Sequence, residues 1–214
     1  PLDSLSGKWL KTSPLTSKEF SAVAYFFGRK INKLLNVPVG LISTNWGGSK
    51  IEAWMDKETL SEYKTLEVIT EVPKNEPQKF SNLLFNGMIH PLKDFTIKGF
   101  LWYQGESNKD NPEEYAALFP AMIEQWRNQW GQEKLPFYFV QIAPFDYGSK
   151  NADFLREVQL KTMQTLKNTG MVVTLDIGDC KYIHPFEKRI VGERLAYWAL
   201  SKNYGFDGIA FSGP

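Results

Sequence analysis

Apolar residues along this chain gather into two kinds of run. Four are short and apolar at successive positions: "VPVGLIST" (37–44), "IKGFLWYQ" (97–104), "PFYFVQIA" (136–143) and "MVVTLDIG" (171–178). Runs of that length and continuity predict strands buried on both faces. The other kind recurs with helical spacing. In "LTSKEFSAVAYFFGRKINKLL", Thr16 as N-cap and Glu19 three residues on predict a capping box, and Phe20, Val23, Ala24, Phe27, Ile31, Leu34 and Leu35 share one face. "NPEEYAALFPAMIEQWRNQW" predicts a helix capped by Asn111, with Pro112 at its first position, Glu114 completing the box and Pro120 imposing a kink. "DFLREVQLKTMQTLKNTG" predicts a helix stopped by Gly170, and "FEKRIVGERLAYWALSKNYG" a closing helix. The segment 56–96 is less regular and is expected to cover one rim.

Strands without alternation, separated by helices, predict an α/β fold: a parallel sheet covered on both sides. Sites in such sheets form beyond the C-terminal strand ends. That rule selects "TNWGGSK", "QGESN", "APFDYG" and "DCKYIHP".

Composition narrows the chemistry. A chain of 214 residues suits one α/β domain with a real core. A formal net charge of +1, with the basic residues dispersed, gives no electrostatic case for a nucleic-acid or anionic-membrane partner. No run approaches the ~20 apolar residues of a membrane span. One cysteine, Cys180, excludes an internal disulfide, and with two histidines it argues against a metal cage built on Cys and His. The chain opens on Pro1 and closes on "FSGP", as a processed or excised piece would. Nothing in the residues fixes an oligomeric state or a compartment.

Among the strand-end residues, His184 follows the last strand in an Asp-rich loop, and Pro185 confines its backbone to the extended region. A neutral imidazole held there suits a general base. His90 follows no strand and is read as structural. Gly47 and Gly48 leave their backbone N–H groups open to an oxyanion, and the Gln104 amide could donate to one too. "GGSK" is not a phosphate-binding loop, since Ser precedes Lys. Glu106 is a general acid or an orienter of its loop. A glycosidase would need a second acid opposite it, and only Asp146 and Asp179 offer one. Trp46 is read as an exposed ring for a sugar face, Trp102 as core.

"LNVPVGLISTNWGGSKIEAWM", "GFLWYQGESN", "FPAMIEQWR", "LREVQ", "NTGM" and "DIGDCKYIHPFEKRIVGERLAYWAL" together resemble the sialate O-acetylesterase family of SGNH hydrolases, related to acetylxylan esterases. The resemblance implies a three-layer α/β/α, flavodoxin-like fold with a mainly parallel sheet, and one catalytic unit over 1–214. It implies a Ser–His esterase acting on O-acetylated sugars without metal or cofactor, exported as such enzymes commonly are. His184 would be the general base; Gly47 or Gly48 with Gln104 the oxyanion hole; Glu106, Ser107 and Asn108 the pocket. The family's nucleophile stands in a "GQSN" block on a first, central strand, and no such block occurs here. That strand is therefore expected to be truncated from this chain or supplied by another. Ser43, Ser49 and Ser107 read as loop residues. The family's usual aspartate before the histidine falls on Lys181 and Tyr182, leaving Asp179, Asp176 or a backbone carbonyl to orient His184. A noncatalytic carbohydrate-binding module on the same scaffold is the alternative of another class.

Overall fold

The computed structural model describes residues 1–63, 75–148 and 152–211, and sets three of the four expected strands in one parallel sheet. In chain order the helices are α1 (Pro14–Ser17), α2 (Ala22–Leu35), α3 (Lys57–Ser61), α4 (Pro112–Gln129), α5 (Ala152–Thr165) and α6 (Lys188–Asn203). The strands are β1 (Phe100–Trp102), β2 (Phe137–Val140) and β3 (Thr169–Val172), in that spatial order. Phe100 pairs with Phe137 and Trp102 with Phe139; Phe137 pairs with Thr169 and Val140 with Val172.

The sheet is buried on both sides because β2 is apolar at every position. Phe137 and Phe139 join Phe119, Met122 and Trp126 of α4 and Leu155 of α5 in one cluster. Tyr138 and Val140 join Val172, Ile31 of α2, and Val191, Leu195 and Trp198 of α6 in another. Helices on both faces of a parallel sheet make the fold α/β, as the continuous apolar runs imply.

Several boundaries differ from the sequence reading. The first helix divides at Lys18–Ser21: Ser13 caps α1 in a box with Thr16, so Thr16 is the partner and not the cap, while Ser21 caps α2 through Ala24 N. The Asn111 side chain makes no cap bond, and α4 continues through Pro120 as one element. Gly170 lies inside β3 and does not end α5. A Cβ there would stand 2.5 Å from the Trp198 ring and 2.8 Å from Tyr138 Cδ1. The glycine is the gap through which α6 reaches the sheet. Residues 37–44 form no ladder among the described residues. Leu41 nonetheless packs on α2, its Cδ1 standing 2.8 Å from where a Gly28 Cβ would lie, and Val39 lies against the second cluster.

Within 56–96, residues 64–74 fall outside the described part. The rest makes α3 and short 3-10 and π turns, and Leu60, Leu84, Phe85 and Ile89 pack with α4 in the first cluster. Trp126 Nε1 donates to Trp54 O at 2.9 Å, tying the preceding turn to α4. No helix among the described residues is long and apolar enough to cross a membrane.

Candidate active site

The chain leaves β1 through Tyr103 and Gln104 and enters a 3-10 turn, Glu106–Asn108. Gly105 makes the passage possible. Its φ is 156°, and a Cβ would meet Ile142 Cγ2 at 2.6 Å and Leu155 Cδ2 at 2.8 Å. The turn thus lies hard against the end of β2 and against α5.

Buried hydrogen bonds join this turn to the "GGSKIEAW" loop. Gln104 Nε2 donates to Ser49 O at 2.9 Å and to Asn108 Oδ1 at 2.8 Å, while its Oε1 accepts from Tyr115 OH at 3.2 Å. Asn108 Oδ1 also accepts from Ile51 N at 2.9 Å, and its Nδ2 donates to Glu52 Oε2 at 2.8 Å. Trp54 Nε1 donates to Ser49 Oγ at 2.9 Å. Gln159 closes the far side, donating to Gln104 O at 3.2 Å and accepting from Ile142 N at 3.0 Å. Polar groups buried in low dielectric need such partners, and here one loop supplies them to the other.

Glu106 faces a different way. Burial pushes its carboxyl above the ordinary range, opposed by its own N–H, by the His184 imidazole, by the Lys188 ammonium and by the N–H of Gly105. Burial pulls Lys188 down while Glu106 pulls it up, and its Nζ sits over the Tyr103 ring, 5.1 Å from the centroid. Burial raises Tyr103 and Tyr147, with Glu106 adding to both. His184 is exposed on a loop held by neighbours: Asp146 N donates to Cys180 O at 2.8 Å, and Arg194 grips Asp176 through NH1 at 2.8 Å and NH2 at 2.5 Å. Hydrogen bonding to Arg194 is what holds Asp176 below the usual carboxylate range.

The structure therefore ties Gln104 to the Gly47–Ser49 loop by a hydrogen bond and sets Glu106, two residues on, within electrostatic reach of His184. Gly47, Gly48 and Trp46 are exposed, with open space where either glycine would carry a Cβ. Gln104 already donates both amide hydrogens within the protein, so it serves an oxyanion only by releasing one. Asn108, expected at the substrate, is instead 5% exposed and engaged in the scaffold. Ser107 is half-buried in the same turn. Asp179 is exposed and accepts from Lys181 N at 2.8 Å, so its carboxylate closes its own turn. Asp176, a possible orienter, belongs to Arg194. Among the described residues no serine hydroxyl is bonded to His184; Ser43 Oγ accepts from Asn45 Nδ2 and Ser49 Oγ from Trp54. Two hollows, by Asp110–Glu114 and by Asp56, Asn82, Phe85 and His90, lie elsewhere.

Sequence reasoning missed Glu52, Tyr115, Gln159 and Lys188. Glu52 carried a signal, a lone carboxylate inside the apolar run "IEAW", which a buried acid must answer with a partner. Lys188 stands four residues after His184, at the first position of α6.

Known proteins are similar to this chain. The profile of a family described as "Carbohydrate esterase, sialic acid-specific acetylesterase" matches residues 14–200. A mouse (Mus musculus) sialate O-acetylesterase is 34% identical over 246 residues, covering 91% of this chain and 44% of its own length. The human (Homo sapiens) sialate O-acetylesterase is 37% identical over 228 residues, covering 92% of this chain and 42% of its own. The chain thus spans less than half the length of these curated relatives. The crystal structure of a carbohydrate acetylesterase from Xanthomonas citri superposes with a TM-score of 0.89 at 40% identity, covering 100% of this chain and 48% of that one. An Arabidopsis thaliana protein of 22% identity and TM-score 0.62, matched over 94% of this chain and 73% of its own, shares the fold. A profile spanning most of the chain, with relatives above 30% identity on the same residues, puts this chain in the sialic acid-specific acetylesterase family of carbohydrate esterases.

Proposed function

We propose that residues 1–214 form the larger part of a single catalytic unit that removes O-acetyl groups from sugars, sialic acid esters foremost. The observation that carries this reading is the electrostatic pairing of Glu106 with His184 and Lys188, on a turn hydrogen-bonded to the loop that exposes Gly47 and Gly48. His184 takes the proton of a serine nucleophile as that oxygen attacks the acetyl carbonyl, then returns it to the leaving sugar oxygen. Water hydrolyses the acetyl-enzyme by the same route reversed. Gly47 and Gly48 donate to the oxyanion, each donor worth on the order of 3 kcal/mol in the transition state. Gln104 joins them if it releases a bond. Glu106, and not Asp179, is the carboxylate that stabilises the imidazolium. Trp46 offers its face to the sugar ring, and Ser107 borders it.

The serine comes from a strand outside these 214 residues, seated between 37–44 and β1. Three features support that seat. Residues 37–44 pack beside the core through Val39 and Leu41 yet join no ladder among the described residues; Val37 and Ile42 are exposed; and β1 pairs on one side only among those residues. A backbone that packs by Leu41 while leaving its amides unpaired calls for a neighbouring strand.

Acetate release from an O-acetylated sialic acid, measured on the 214-residue chain and on the gene product that carries it, tests the reading. The gene product is expected to be active and the chain alone silent. Silence in both would favour a carbohydrate-binding role. Preference for acetylated xylan would move the substrate and leave the chemistry.

A further inference from the structure

Glu52 and Ile51 are neighbours that grip one amide from both ends. Ile51 N–H donates to Asn108 Oδ1, and the Glu52 carboxylate accepts from Asn108 Nδ2. Gln104 Nε2 donates to the same Oδ1. Turning the Asn108 amide over would set its NH2 against two donors and its oxygen against a carboxylate that only accepts. One orientation survives. Glu52 and Asn108 are each 5% exposed, so water cannot replace a lost partner.

Asn108 is also the last residue of the turn that begins at Glu106, and Gln104, its other partner, donates to the carbonyl of Ser49, next to Gly48. One buried pair thereby sets the position of two functional groups that do not touch each other. We propose that Glu52 is a positioning residue of the esterase site: through Asn108 it holds the Glu106 turn and the Gly47–Gly48 turn in a single register. The inference rests on the function proposed above and adds to it a residue that contacts neither substrate nor His184.

The partner chemistry dictates graded effects. In Glu52→Gln the side chain keeps an oxygen for Asn108 Nδ2 but gains a donor, and its amide can turn, so the register loosens. In Glu52→Ala the acceptor is gone, so the buried Asn108 Nδ2 loses that partner and the amide is held only through its oxygen. Misplacement of donors and carboxylate by a fraction of an ångström weakens interactions that form only in the transition state. A group that merely filled the core would lower stability and leave the turnover of the folded enzyme alone.

The experiment is steady-state hydrolysis of an O-acetylated sialic acid by the gene product, with wild type, Glu52→Gln, Glu52→Ala and His184→Ala compared well below each melting midpoint. The expected result is a kcat lowered about 10- to 100-fold in Glu52→Ala, less in Glu52→Gln, with KM within about twofold throughout. Wild-type kcat in the folded Glu52 variants, or a loss confined to KM, would overturn the proposal. If Glu52→Ala does not fold, Glu52→Gln decides by the same criteria. His184→Ala separates this failure from that of the parent reading. An inactive His184→Ala beside fully active Glu52 variants removes the clamp alone, whereas an active His184→Ala removes His184 as the base, and with it the site proposed above.

Discussion

The 104–108 turn and the 173–187 loop each follow a strand of the sheet, but they are built in opposite ways. The first is buried, and the side chains of Gln104 and Asn108 are hydrogen-bonded to the loop beneath, to each other and to Glu52. The second shows His184, Asp179 and Tyr182 to solvent and is held at a few points, among them Asp176 on Arg194 and the carbonyl of Cys180 on Asp146 N. Ester hydrolysis by a serine and a histidine asks for both constructions. Oxyanion donors and the orienting carboxylate gain by being fixed before the reaction begins. The base has to meet substrate, leaving group and water in turn. On the proposed mechanism the contrast would be a division of labour: one half preorganised, the other accessible.

The largest expected effect lies on the accessible half. His184→Ala in the gene product should lower kcat about 10³-fold without a change in fold, read by acetate release and circular dichroism. Retained turnover would mean that the exposed loop is not the catalytic side. On the preorganised half a packing change should act through stability. Gly105→Ala forces a methyl onto Ile142 and Leu155, and about 3 kcal/mol of stability should go, read by denaturant unfolding. A smaller effect has the opposite sign. Burial raises Glu106, so the folded chain holds that proton to higher pH than the unfolded chain does. Between the ordinary carboxyl range and its raised one, stability then falls as pH rises, and above both the ionised Glu106 keeps its full cost. Glu106→Gln should accordingly melt a few degrees higher than wild type near neutral pH, with the gain shrinking as pH falls, while its esterase activity drops. The smallest effect concerns Asp176, about a third exposed and held down by Arg194. Its contribution is present above the unfolded carboxyl range and lost as pH falls through its lowered one. Asp176→Asn should cost about 0.5 kcal/mol at neutral pH, an amount that thermal melts at several pH values can resolve.

Much of this was legible in the sequence for a physical reason. A strand buried on both faces has few polar positions; β2 stands inside the run that announced it, while β3 starts earlier and overlaps its run, 171–178, only at Met171 and Val172. Ladder ends were not legible, because pairing needs a partner and 37–44 has none among the described residues. Gly170 was misread because a helix stop and a strand glycine look alike until Trp198, far along the chain, is seen filling the missing side chain's place. Ser13 and Ser21 outcompeted Thr16 for a cap that all three can make. At the site, position after a strand and before a proline marked His184, and the polar string after β1 marked residues 104–108. Their roles stayed hidden, since an amide such as Asn108 reads the same whether it faces substrate or Glu52. Asp179 was the aspartate nearest His184 in sequence, but its carboxylate accepts from Lys181 N, whereas Glu106, after another strand, interacts electrostatically with the imidazole.

That last exchange carries the account and can be measured directly. Acetate release by the gene product, compared for Glu106→Gln and Asp179→Asn at neutral pH, sets the two carboxylates against each other. The account predicts kcat/KM lowered at least about 100-fold in Glu106→Gln and within about twofold of wild type in Asp179→Asn. The reverse order, with Asp179→Asn crippled and Glu106→Gln active, would contradict it.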